Sequence, residues 1–189
     1  MNNKKKIIIS FVIIAIIQLF VPVKMIWNKE STLINGNPYK FKTAPIDPTD
    51  PFIGKYIVLD FEENSYEVNE QYLRGEFLYV YLDEDQNGFA KIAKVSKNIL
   101  PNEEKDYVKA KVRYGNYLGH DLQIQIDYPF QRFYMEESKA YNAELLYRKF
   151  QSESGSITYA LVRVKNGDAV IQNVFINDTP IKELVEINF

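Results

Sequence analysis

"YVKAKVRY", residues 107–114, sets Val108, Ala110, Val112 and Tyr114 at every second position, with Lys109, Lys111 and Arg113 between them. Successive side chains leave a strand on opposite sides, so this spacing describes a strand with one dry face and one wet face. The next run, "LQIQIDY" at 122–128, repeats the pattern with Leu122, Ile124, Ile126 and Tyr128. Two such neighbours point to an antiparallel sheet, in which one face tolerates water. Working outward, further strands are expected over 39–43, 55–61, 77–82, 89–95, 157–164 and 169–176. The composition agrees, since 14 Tyr and 12 Phe in 189 residues favour pleated, half-buried surfaces. Asn166-Gly167 reads as a two-residue hairpin turn, and Asn87-Gly88 closes a longer acidic loop. Only "ESKAYNAELLYRKF", residues 137–150, reads as a soluble helix, with Ser138 as its cap and "QSESGS" as the loop after it. The fold class expected is mainly β: an antiparallel, sandwich or barrel-like domain with one short helix.

The two hairpins share a pattern. "NGFAKIAKV" from Asn87 and "NGDAVIQNV" from Asn166 both fit N-G-x-A-x-I-x-x-V. Either a duplication giving two similar β lobes or the same hairpin chemistry used twice accounts for the match.

The N-terminal segment has a different character. After "MNNKKK", the uncharged run from Ile7 through Val21 to Val23 continues in apolar character past Lys24 to Trp27. These 21 residues would form about 31 Å of helix, enough to span a bilayer. A cleaved signal would end in small residues, whereas this run ends in "VPVKMIWNKES". Residues 1–27 are therefore expected to form an uncleaved transmembrane anchor and 28–189 a separate β-rich domain. Pro22 is expected to kink or end the regular helix, with Lys24 snorkelling and Trp27 at the interface. Lys4, Lys5 and Lys6 precede the span, which places the N-terminus in the cytoplasm and the domain outside it.

The remaining charge narrows the functions available. Without those three lysines the net charge of -2 becomes -5, which offers nucleic acid no basic footprint. Cysteine is absent, which removes disulfides, thiol catalysis, thiolate metal sites and lipid-modified cysteine. His120 is the only histidine, and "GNYLGHD" around it reads as an exposed loop. "DEDQNG", Asp83 to Gly88, fits the first half of a calcium loop, but Lys94 stands where the bidentate glutamate belongs. The competing reading is a solvated hairpin loop whose acidic side chains satisfy turn amides. No G-x-S-x-G, phosphate-binding glycine loop or HExxH occurs. No catalytic residue, metal ligand or cofactor is expected.

"TAPIDPTDPFIGKYIVLDF", residues 43–61, carries Pro45, Pro48 and Pro51 at intervals of three. Residues before proline are pushed to extended backbone, so this lead is expected to run as polyproline II. Asp47 and Asp50 would then lie about 9 Å apart, a separation that suits an inverting glycosidase as well as a purely structural pair. In "GKYIVLDF", alternation assigns Ile57, Leu59 and Phe61 to the core and leaves Lys55 and Asp60 accessible.

This stretch resembles the motif of the GDYXXLXY family of bacterial membrane-anchored proteins. Gly54, Tyr56 and Leu59 match it, Lys55 replaces its Asp, and Phe61 replaces its final Tyr. The proline and aspartate lead is similar to that family's approach to the motif, and "DYPFQRFYMEES" is loosely similar to a later segment. The resemblance implies a single-pass protein of the bacterial cytoplasmic membrane, working beside a multi-pass membrane partner, and supplies no catalytic residues. The leading expectation is thus a non-enzymatic accessory or interaction protein of the cell envelope. The alternative is an envelope glycan- or ligand-binding module that stacks rings on Tyr79 and Tyr81, which share a strand face. A hydrolase using Asp47 and Asp50 stands third.

Overall fold

Asn166 and Gly167 both take positive φ, 50° and 86°, and join strands paired from Lys165↔Asp168 onward, which is the two-residue turn read from the sequence. The computed structural model in which this turn is seen describes residues 3–44, 56–115, 123–152 and 155–188. The Pro45 to Pro51 lead, Gly54, Lys55, His120 and Leu122 lie outside the described residues.

The chain begins with helix α1 (Asn3–Asn35) and continues through β1 (Asn37–Ala44), β2 (Tyr56–Val58), β3 (Asp60–Phe61) and β4 (Ser65–Glu67). β5 (Phe77–Glu84), β6 (Ala90–Ser96), β7 (Tyr107–Tyr114), β8 (Gln123–Asp127) and β9 (Arg132–Tyr134) follow. Helix α2 (Glu137–Ser152), β10 (Thr158–Lys165), β11 (Asp168–Ile176), β12 (Thr179–Pro180) and helix α3 (Ile181–Asn188) complete it. The protein is mainly antiparallel β in a nearly closed, barrel-like arrangement. One sheet runs β12-β11-β10-β1-β3, a second runs β4-β8-β7-β5-β6, and β2 pairs with β9 as a ribbon.

The inward faces follow the predicted alternation. Val108, Ala110 and Val112 of β7, and Ile124 and Ile126 of β8, are buried. Tyr114 departs from it: Val112 pairs with Ile126 but Tyr114 with Gln125, so Arg113 is an extra residue and Tyr114 is turned outward.

A similar device explains the repeated hairpin pattern. Tyr81 pairs with Lys94 and Leu82 with Ile92, which leaves Ala93 as a bulge in β6. Leu161 pairs with Asn173 and Val162 with Ile171, which leaves Gln172 as a bulge in β11. Each bulge falls six residues after the Asn of its Asn-Gly turn. In an unbroken strand, the three-residue step from Ile to Val in I-x-x-V would put them on opposite faces. The bulge returns both to the inside, with Ile92, Val95 and Val174 buried and Ile171 packed against the core.

The family-like motif strand is interrupted where one continuous strand was expected. β2 pairs with β9, β3 pairs with β1, and Leu59 between them donates its N–H to the carbonyl of Gln131 at 2.8 Å. The motif thereby ties the ribbon to the first sheet. Ile57, Leu59 and Phe61 are each 1% exposed, as the alternation predicts. Phe61 closes an aromatic cluster with Phe41, Tyr128 and Phe130 at ring separations of 5.5, 5.9 and 5.3 Å. Edge-on and tilted contacts of this kind add to what burial alone contributes.

Three further features differ from the sequence reading. α1 does not end at Pro22 but runs through it to Asn35. α3 is a second soluble helix, and its ion pair between Lys139 and Glu186 at 2.6 Å ties it to α2. The strands β4, β9 and β12, each of two or three residues, were also unforeseen.

Candidate functional site

The last turns of α1 are built into the domain. Lys29 Nζ lies 3.3 Å from Asp168 Oδ1, and Lys165 Nζ donates to Ser31 Oγ at 3.0 Å. Thr32 is buried, and Gly36 donates its N–H to the Thr32 carbonyl at 2.9 Å as the chain turns into β1. Gly36 permits a close crossing: a Cβ there would stand 2.5 Å from the Thr32 carbonyl oxygen and 3.0 Å from the Val164 backbone. The side on which the helix leaves the domain is thus set by the β10–β11 hairpin.

Beside that exit is a cavity of 420 Å³ lined by Lys29, Phe77, Tyr79, Ile99, Tyr107 and Lys109, with the 166–168 hairpin tip at its edge. The tip is held in place because Lys109 donates its N–H to the Gly167 carbonyl at 3.0 Å, bridging the two sheets. Phe77 and Ile99 are each 52% exposed at the rim. The ammonium groups of Lys109 and Lys111 lie 4.6 and 5.1 Å from the centre of the Phe77 ring. Aromatic surface next to exposed ammonium groups suits a ligand with both anionic and apolar parts.

Tyr79 and Tyr81 share a strand face, as expected, but do not form an open stacking platform. Tyr81 is 1% exposed, packs on Tyr107 at 5.6 Å, and its hydroxyl accepts the Leu100 N–H at 2.7 Å. Cross-strand packing is what that pair does.

The motif face opposite the core carries a second cluster. Tyr56 packs on Tyr134 across the ribbon in a tilted contact at 5.2 Å, with the Arg132 guanidinium 4.9 Å from the Tyr56 ring centre. Asp60, expected to be accessible, is partly exposed and ion-paired: Arg113 reaches both it, at 3.4 Å, and Asp127, at 3.3 Å. Gln131 Nε2 also donates to Asp127, at 2.8 Å. The bulge that turns Tyr114 outward supplies this arginine, so its role is to join β3, β7 and β8.

The acidic hairpin loop is occupied by its own backbone. Asp85 Oδ1 accepts the N–H groups of Asn87 and Phe89 at 2.8 and 2.9 Å, and these bonds hold its carboxyl below the usual range. Asp83 is likewise held low, first by its hydrogen bond from Lys105. Among the described residues, no group of three His, Asp or Glu side chains is arranged to hold a metal ion. A smaller polar cavity of 170 Å³ includes Thr43, Gln151 and Thr158, where the two threonine hydroxyls lie 2.6 Å apart and Gln151 donates to Thr43 and to the Ala44 carbonyl. There Thr43, Thr158 and Gln151 satisfy one another.

A barrel-like β domain carried on a long apolar helix, with residues 56–61 of the motif stapling its sheets, defines the class. The sequence model of the GDYXXLXY protein family matches residues 18–174, most of the chain, and the protein belongs to that family. No curated protein and no solved structure matches it.

Proposed function

We propose that this protein is a non-enzymatic accessory or interaction protein, anchored in the bacterial cytoplasmic membrane by α1 with its β domain on the extracytoplasmic side. The observation that carries the reading is the contrast along α1. None of its most apolar stretch is buried by the domain, with Phe11, Phe20 and Trp27 at 70, 64 and 76% exposure, while its last turns are hydrogen-bonded into the β10–β11 hairpin. Each large apolar side chain left in water forgoes about 1.5 to 3 kcal/mol, so a helix apolar on all sides supports a hydrocarbon surrounding. The lysines ahead of the span support a cytoplasmic N-terminus. The absence of a small-residue cleavage site and the continuation of the helix past Trp27 support an uncleaved anchor.

An interaction role fits a domain whose motif residues hold the fold together rather than line a reaction centre. The partner proposed is a multi-pass membrane protein. Purification from mild detergent with the anchor intact tests it: one such protein is expected to copurify in a fixed ratio. A full-length chain that repeatedly purifies alone, also after cross-linking in membranes, would contradict the reading.

A further inference from the structure

We infer that the cavity beside the α1 exit docks on the bilayer surface and holds the headgroup of an anionic phospholipid. This rests on the reading of α1 as a membrane anchor. Lys29, which lines the cavity, is two residues beyond Trp27, where the apolar run ends, so along a continuous helix it stands about 3 Å farther from the bilayer. The cavity is therefore level with lipid headgroups. Its orientation is fixed, because the Lys29–Asp168 pair and the Lys165–Ser31 bond hold the helix against the hairpin tip. Its chemistry matches that position. Lys29 and Lys109 line it with two ammonium groups against one carboxylate, Asp168. A third ammonium, that of Lys111, lies 5.1 Å from the Phe77 ring centre at the rim, and Phe77 and Ile99 present apolar surface. Ammonium groups attract anionic headgroups, and apolar and aromatic side chains settle at the level where headgroup meets acyl chain.

The test uses the full chain in nanodiscs of phosphatidylcholine with or without one quarter phosphatidylglycerol, the phosphatidylcholine carrying brominated acyl chains that quench tryptophan. In a Trp27→Phe background, Phe77→Trp reports on the cavity rim. Phe89→Trp, in the loop beyond the far end of β5, a strand about 23 Å long, serves as the control. Quenching of Phe77→Trp is expected to be at least twofold stronger with phosphatidylglycerol, and to fall to the pure phosphatidylcholine value in Lys109→Glu/Lys111→Glu or in 0.5 M salt. Lys109→Arg/Lys111→Arg is expected to retain it. Incorporation into discs without lipid-dependent quenching, or equal quenching of the two reporters, would overturn the inference and leave the anchor standing. Failure to enter discs at all would overturn the anchor, and the inference with it.

Discussion

Lys29 on the apolar helix meets Asp168 at the hairpin tip at 3.3 Å, with both side chains about half exposed. Such a pair sets direction more than stability, so Asp168→Ala is expected to cost less than about 1 kcal/mol. The steric fit at Gly36 should matter more. Gly36→Ala would drive a Cβ to 2.5 Å from the Thr32 carbonyl, backbone that cannot swing aside. A loss of about 1 to 3 kcal/mol is expected in thermal melts of the detergent-solubilised protein.

Gly167→Val combines two penalties. Its φ of 86° strains any L side chain by about 1 to 3 kcal/mol. A Cβ would also stand 2.7 Å from Tyr107 Cε2, beside the hydrogen bond that bridges the sheets. Gly167→Val should melt several degrees below the parent. Gly88→Val, which takes φ of 75° in open space, should lose less.

Within the motif, neighbouring residues should respond in opposite ways. Leu59→Ala removes a side chain that is 1% exposed and should cost about 2 to 5 kcal/mol. Asp60→Ala removes a partly exposed partner of Arg113, which keeps Asp127, and should cost less than about 1 kcal/mol. Denaturant melts of the two variants check the contrast; equal losses would refute it.

The tyrosines predict an alkaline limit. Burial raises the hydroxyls of Tyr39, Tyr72, Tyr128 and Tyr147 well above the ordinary value near 10. Tyr159 is pushed up to about 12 by burial and by its hydrogen bond to Asp178. The folded chain keeps these protons where the unfolded chain loses them, so stability is intact below about pH 10 and falls as pH rises through the folded values. Absorbance titration should show Tyr39, Tyr72, Tyr128, Tyr147 and Tyr159 ionising together with unfolding. A single ionisation step near pH 10 with the fold intact would contradict this.

Where side-chain spacing carries the structural signal, the fold was legible. The alternation in "YVKAKVRY" and "LQIQIDY" identified paired strands, and Asn166-Gly167 identified its own turn because few residue pairs tolerate two positive φ values. The bulges were legible only in retrospect, since I-x-x-V violates a period of two and a bulge is the physical remedy. Asn177-Asp178, with φ of 47° and 64°, makes a second two-residue turn without a glycine to announce it. α3 has only eight residues, too few for a helical period to stand out. The cavity was out of reach because Lys29, Phe77 and Lys109 lie far apart in the chain, and only the pairing of sheets brings them to the helix exit.

The cysteine-free sequence permits the most direct test of the anchored, outward-facing domain. A single cysteine is placed at Asn3, ahead of the apolar run, or at the exposed Asn102 of the β domain, and intact cells are treated with a membrane-impermeant maleimide. Asn102→Cys should be labelled in intact cells and Asn3→Cys only after permeabilisation, with both proteins at full-length mass in the membrane fraction. Labelling of Asn102→Cys only after permeabilisation, or a mature chain beginning between residues 20 and 32, would contradict the account.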